Sequence, residues 1–165
     1  MTESMHSYFR EEKSEALFFL IAGILSLGLS VWAFFFNRER FFVGLAIPVL
    51  VVGLIQLVVG AVVFFRTQQQ VAGLEELFAT DPAKFATSEL ERMITVMNNF
   101  RLYKWVEIGF VVSGLLLIIF NVPGFLQGIA VGLLLQGSIM LSLDIVAERR
   151  GVSYQQELHQ LQPAS

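Results

Sequence analysis

Three carboxylates, Glu15, Glu107 and Asp144, each stand within about one turn of the end of a long apolar run, with Lys13, Lys104 and Arg66 close by in the chain. Carboxylates brought to one depth by three segments can act in two ways. They can pair with nearby cations as an interfacial layer whose lysines snorkel to water, or they can hold a divalent cation. The interleaved lysines favour pairing, and Lys104 and Glu107, three residues apart, can pair on one helix. Gln56 and Gln136 fall in the middle of apolar runs, where an amide seeks a partner on a neighbouring helix. Without an acid or base beside them, two amides make a poor route for protons or ions. Gly124, Gly128, Gly132 and Gln136, continued by Met140, Asp144 and Glu148, recur every four residues along one stripe. Small residues at this spacing let helices approach closely. The stripe serves either packing within the chain or docking of a second copy or another membrane protein.

Other chemistries are excluded by residue type. There is no cysteine, so disulfides, thiolate metal sites and cysteine nucleophiles are absent together. His6 and His159 stand alone in tails read as flexible, without a second imidazole or carboxylate at ligand spacing, and no metal site is expected. No nucleophile elbow, HExxH, phosphate loop or dinucleotide fingerprint occurs, so the expectation is a non-enzymatic chain without cofactors. The net charge of −3 and the scattered basic residues give no nucleic-acid footprint.

The elements that must position these residues are legible as runs. Hydrophobic residues make up 55% of the chain and charged ones only 15%, with mean hydropathy +0.67, where a soluble domain carries about 25% charged residues. Residues 16–36 and 41–65 are uncharged and long enough to cross a hydrocarbon core of about 30 Å. The short polar turn Asn37 to Arg40 between them predicts an antiparallel hairpin, and Pro48 predicts a kink in the second helix. The uncharged stretch from Ile108 to Leu143 is cut by Asn121, Val122, Pro123 and Gly124, which gives further helices over about 102–120 and 125–146. The expected fold is all-α and integral to the membrane: one domain over 1–165, four transmembrane helices in two hairpins, and a helical polar segment over 66–101 between them.

Within that segment Thr80, Asp81 and Pro82 stop one helix and can start another. Ser88 to Glu91 matches a capping box, from which one long helix should run to Phe120. Leu74, Leu77, Phe78, Leu90, Met93, Met97 and Phe100, with Ile94, form an apolar face on it. Two helices can cover this face between themselves, or a partner can dock on it. Basic residues gather on the side of the tails and the central segment, leaving only Arg38 and Arg40 on the other. By the positive-inside rule both termini and the segment are cytoplasmic, and Trp32 and Trp105 sit in opposite aromatic belts.

The halves also resemble one another. Phe9, Arg10, Lys13 and Gly23 align with Phe100, Arg101, Lys104 and Gly114, and Gly44, Ala46, Gly53 and Leu57 with Gly128, Ala130, Gly137 and Leu141. Both halves would start on one side, a parallel repeat about an axis normal to the membrane.

Tyr8 to Lys13, together with Glu91, Arg92, Met93, Met97, Asn99, Phe100, Tyr103, Lys104, Trp105 and Glu107, resembles uncharacterised four-helix bacterial inner-membrane proteins, some of which accompany secreted interbacterial toxins. The resemblance implies an inner-membrane immunity protein that binds a pore-forming or membrane-targeting toxin. Apart from it, the residues lead to a membrane interaction protein whose partners are the lipid bilayer, another membrane protein or a second copy. A small oligomeric channel or transporter subunit is the alternative that Gln56, Gln136 and the carboxylates suggest.

Overall fold

The computed structural model describes residues 2–161. They form four helices, α1 (Thr2–Phe35), α2 (Arg40–Thr80), α3 (Pro82–Ile119) and α4 (Gly124–Gln160). All four are long and apolar enough to cross a membrane. Large apolar side chains such as Ile24, Leu25, Val58, Phe65, Ile119 and Phe120 point outward, whereas a bundle folded for water turns its apolar faces inward.

Local chemistry sets the breaks. Asn121 closes the turn after α3 with a φ of 48°, a left-handed conformation that Asn tolerates better than most residues. Its amide donates to the Ile118 carbonyl at 3.0 Å. Between α2 and α3 a single residue, Asp81, acts as N-cap, accepting a 2.9 Å bond from the Lys84 amide, and Pro82 follows at the first helical position. The capping box expected at Ser88 does not start a helix. Its hydroxyl donates back to the Phe85 carbonyl at 3.3 Å, because α3 is already under way and the amides a cap would satisfy are engaged. Nothing breaks α2 after Phe65, and both tails, read above as flexible, are helical from Thr2 and as far as Gln160.

The packing follows small residues. α1 and α2 run antiparallel in close contact: Gly23 lies on the Gly53 carbonyl and Leu57, and Gly60 lies on the Ala16 carbonyl. The Ser30 hydroxyl donates to the Ala46 carbonyl at 3.2 Å. α3 and α4 pair in the same sense, with Gly114 on Ala130 and Leu134 and Gly137 on Glu107 and Phe110. α2 and α4 are joined in parallel at the centre, where a Cβ on Gly44 would strike the Phe125 carbonyl and one on Gly128 the Phe41 carbonyl. Gly132 receives the Pro48 ring. By contrast α2 touches α3 little, and α1 touches α4 little.

These contacts repeat at one constant spacing in the chain. Gly44 and Phe125 exchange roles with Gly128 and Phe41; Gly53 with Gly23 and Ser26 corresponds to Gly137 with Glu107 and Phe110; Ser30 on Ala46 corresponds to Gly114 on Ala130. The register read from sequence is right for the second helix of each half. For the first it is displaced by seven residues, about two helical turns: α1 matches α3 through Phe36 with Phe120 and Asn37 with Asn121, not through Phe9 with Phe100. The Phe-Arg and Lys coincidences misled because they ignore the turn, which both halves must share.

Gly44→Ala and Gly128→Ala should each lower stability by about 1–3 kcal/mol or more, since the new methyl meets backbone that no rotamer change can move. Gly124→Ala, with open space around its Cα, should leave stability unchanged; denaturant titration in detergent measures all three.

Candidate functional site

The end of the bundle that carries both termini and the α2–α3 junction is closed by a cluster from three helices, α1, α3 and α4: Met5, Phe9, Phe85, Leu90, Met93, Tyr154 and Leu158. Leu74, Leu77, Phe78 and Met97, on the expected apolar face, pack against it, while Ile94 stays exposed. The cover for that face comes from the tails. Their spacing carries the signal, with Met5 and Phe9, then Tyr154 and Leu158, four residues apart on one face.

Inside this cluster lies a polar group that sequence reasoning missed. Glu89 is 1% exposed and takes two bonds from Arg92, at 2.8 and 2.7 Å, and one from the Tyr154 hydroxyl at 3.1 Å. The Arg92 guanidinium also lies 5.2 Å from the Phe9 ring centre. Burial works against its charge, but the Glu89 carboxylate outweighs burial and raises its pKa. Burial, reinforced by Glu12, pushes the Tyr8 hydroxyl up to about 12; burial and Glu89 likewise raise Tyr154. His6, expected to be solvated, meets Glu75 at 2.8 Å.

Beneath the cluster a cleft of about 520 Å³ runs between the helix pairs. Val52, Ile55, Val59 and Val63 of α2 and Leu102, Val106 and Phe110 of α3 wall it, and Glu12, Glu15, Glu107 and Asp144 belong to its lining. Because Ile55, Val59, Leu102 and Val106 are about half exposed, its mouth opens sideways between α2 and α3.

The three carboxylates singled out in the sequence meet here on unequal terms. Glu15 pairs with Arg150 of α4, and burial raises its pKa against that pairing. Glu107 and Asp144 lie against one another, 3% and 7% exposed. Lys104 does not pair with Glu107 three residues on; it reaches across to Glu148 at 2.6 Å, since a cross-helix carboxylate on α4 lies within its reach. Glu12, not anticipated, joins the site with Arg66 at 3.9 Å and Thr67 at 3.4 Å. Its burial raises it above the ordinary 4.5, outweighing Arg92 and Arg66. Among the described residues no group of three or more His, Cys, Asp or Glu is arranged to hold a metal.

Deeper in, Gln56 donates to Gln136 at 3.3 Å and Gln136 to the Ser26 hydroxyl at 3.1 Å. This chain of donors leaves Gln56 Oε1 buried with no partner, on the wall of the cleft. Of the glycine stripe, Gly128, Gly132 and Gln136 are spent on the α2–α4 contact, and Gly124 has open space beside it. Set against protein-family models, curated proteins and solved structures, the chain matches none.

Removing one partner of the Glu89–Arg92 pair leaves a buried charge alone: Glu89→Ala should cost about 3–5 kcal/mol, while Glu89→Ala with Arg92→Met should recover much of it, as unfolding titrations of the two variants will show. For Glu12 the sign is opposite to a stabilising salt bridge. A carboxyl with a raised native pKa holds its proton longer when folded, so its contribution declines as pH rises from 4.5 toward neutrality. Glu12→Gln should therefore stabilise the protein more at pH 7 than at pH 4, measured as the shift in unfolding midpoint at each pH.

Proposed function

We propose that this chain is a multi-pass protein of the bacterial inner membrane that acts by binding, without catalysis, through the sideways-opening cleft. Its outward apolar surface supports insertion as two helical hairpins of a parallel repeat, spanning over about 16–36, 41–65, 102–120 and 125–146. The excess of Lys and Arg at the termini end supports cytoplasmic termini and a cytoplasmic segment over 66–101. One observation carries the binding reading. Gly128 and Gly132 of the glycine stripe and Leu74, Leu77, Phe78 and Met97 of the α2–α3 junction are covered by the chain's own helices, whereas the cleft stays open and largely apolar with a few polar groups in its lining. Ligand sites have this character.

In its most concrete form, which rests on the resemblance of the Tyr8–Lys13 and Glu91–Glu107 stretches, the chain is an immunity protein that neutralises a membrane-targeting or pore-forming toxin. The acidic groups in the cleft favour a second reading, a small oligomeric channel or transporter subunit.

A photo-reactive side chain placed at Tyr103, at the cleft, should give a discrete adduct in cell membranes that Val59→Trp removes, while the same group at Phe35 on the outer belt should not. Equal labelling at both positions would refute the binding reading. The immunity form fails if deleting the gene leaves cells resistant to every co-encoded effector. The transporter reading fails if reconstituted protein gives neither current nor flux and is monomeric in detergent. Since the chain lacks cysteine, single cysteines at Ser153 and Arg38 should react with an impermeant maleimide from opposite sides of the membrane.

A further inference from the structure

The two halves repeat each other's contacts, but two positions of the repeat that line or flank the cleft exchange glycine for an acid. In the first half Gly23 and Gly60 seat α1 directly on α2, against the Gly53 and Ala16 carbonyls. At the constant spacing that relates the halves, the residues equivalent to these two glycines are Glu107 and Asp144. Two positions that close one helix pair therefore carry carboxylates in the other. A purely structural repeat gains nothing from exchanging two contact glycines for buried acids, which are costly at such depth unless matched by an opposite charge.

Among the described residues the nearby cations pair with other carboxylates. Arg150 is committed to Glu11 and Glu15, Arg66 lies against Glu12, and Lys104 bonds to Glu148. Among the described residues no Lys, Arg or His forms an ion pair with Glu107 or Asp144, and both Glu107 oxygens are buried without a hydrogen-bond partner. Two ionised carboxylates are both acceptors and cannot satisfy one another. Gln56, whose Oε1 is also buried and unpartnered, lines the same cleft.

We propose that the cleft binds a lipophilic organic cation, its charge held by Glu107 and Asp144 and its apolar body by the α2 and α3 walls. This rests on the binding reading above. A bare metal ion is a poor occupant, because among the described residues no three ligands converge and the walls are apolar. An anionic lipid would bring its charge to the acids, and a neutral one would bring no charge to match them. The volume, about 520 Å³, lies within the few hundred to a thousand Å³ usual for sites of small organic molecules, and the sideways mouth lets such a molecule enter along the apolar belt.

The experiment uses the full chain in nanodiscs, titrated calorimetrically with tetraphenylphosphonium and, as a charge-reversed control of the same shape, tetraphenylborate. Saturable binding of the cation alone is expected, weakened at least tenfold by Glu107→Gln with Asp144→Asn, and likewise by Val59→Trp, which blocks the mouth and leaves both acids in place. Equal binding of the anion, no saturable binding of the cation, or an unchanged Kd in a double variant that keeps its helicity and size-exclusion profile would overturn the proposal; a proton shared by the two acids would then be their only occupant. If the cation does not bind while the Tyr103 adduct in cell membranes persists, the cation assignment falls and the binding reading stands. If both are absent, both fall.

Discussion

The approach of α2 to α4 is the contact on which the rest of the structure hangs. At Gly44 and Gly128 the two backbones come so near that each glycine faces the other helix's carbonyl, Phe125 in one case and Phe41 in the other. In a hydrocarbon environment apolar side chains have no reason to leave lipid for one another, so association depends on close packing and on polar bonds between helices. This interface has both. The glycines bring the backbones together, the Pro48 ring fills the space over Gly132, and the Gln56–Gln136–Ser26 chain ties α2, α4 and α1 at one level.

With α2 and α4 joined at the centre, α1 and α3 fall on the flanks, each held by its own partner. The contacts α2–α3 and α1–α4 remain slight, which leaves room beside the central pair. Gly23 and Gly60 seat α1 on α2. At the equivalent positions of the second half stand Glu107 and Asp144, and both line the cleft between the helix pairs. Two buried acids thus stand where the other half has contact glycines.

At the termini end the organisation is of another kind. Apolar side chains from all four helices bury one another there, around the Glu89, Arg92 and Tyr154 group. In water the hydrophobic effect drives that burial. The same chain thus uses two modes of cohesion along its length: backbone proximity and amide bonds where the helices are most apolar, side-chain burial around a satisfied ion pair where they leave the apolar belt.

The sequence by itself determined four long apolar helices, the turn at Asn121, the break at Asp81 and Pro82, and the small residues available for close contact, because run length, turn chemistry and spacing are local properties. It did not determine the helical tails, since Met5, Phe9, Tyr154 and Leu158 are ordered by a cluster that exists only when four distant segments meet. The register of the halves was half legible: Gly44 with Gly128 can be read in the chain, but chance matches at Phe9 and Lys13 outweighed the turn until the packing showed one spacing throughout. Which acids are paired was decided by tertiary structure alone. Lys104 lies three residues from Glu107 in sequence, yet its charge goes to Glu148 on another helix, and that choice, made by the distance between α3 and α4, is what leaves Glu107 without a partner in the cleft.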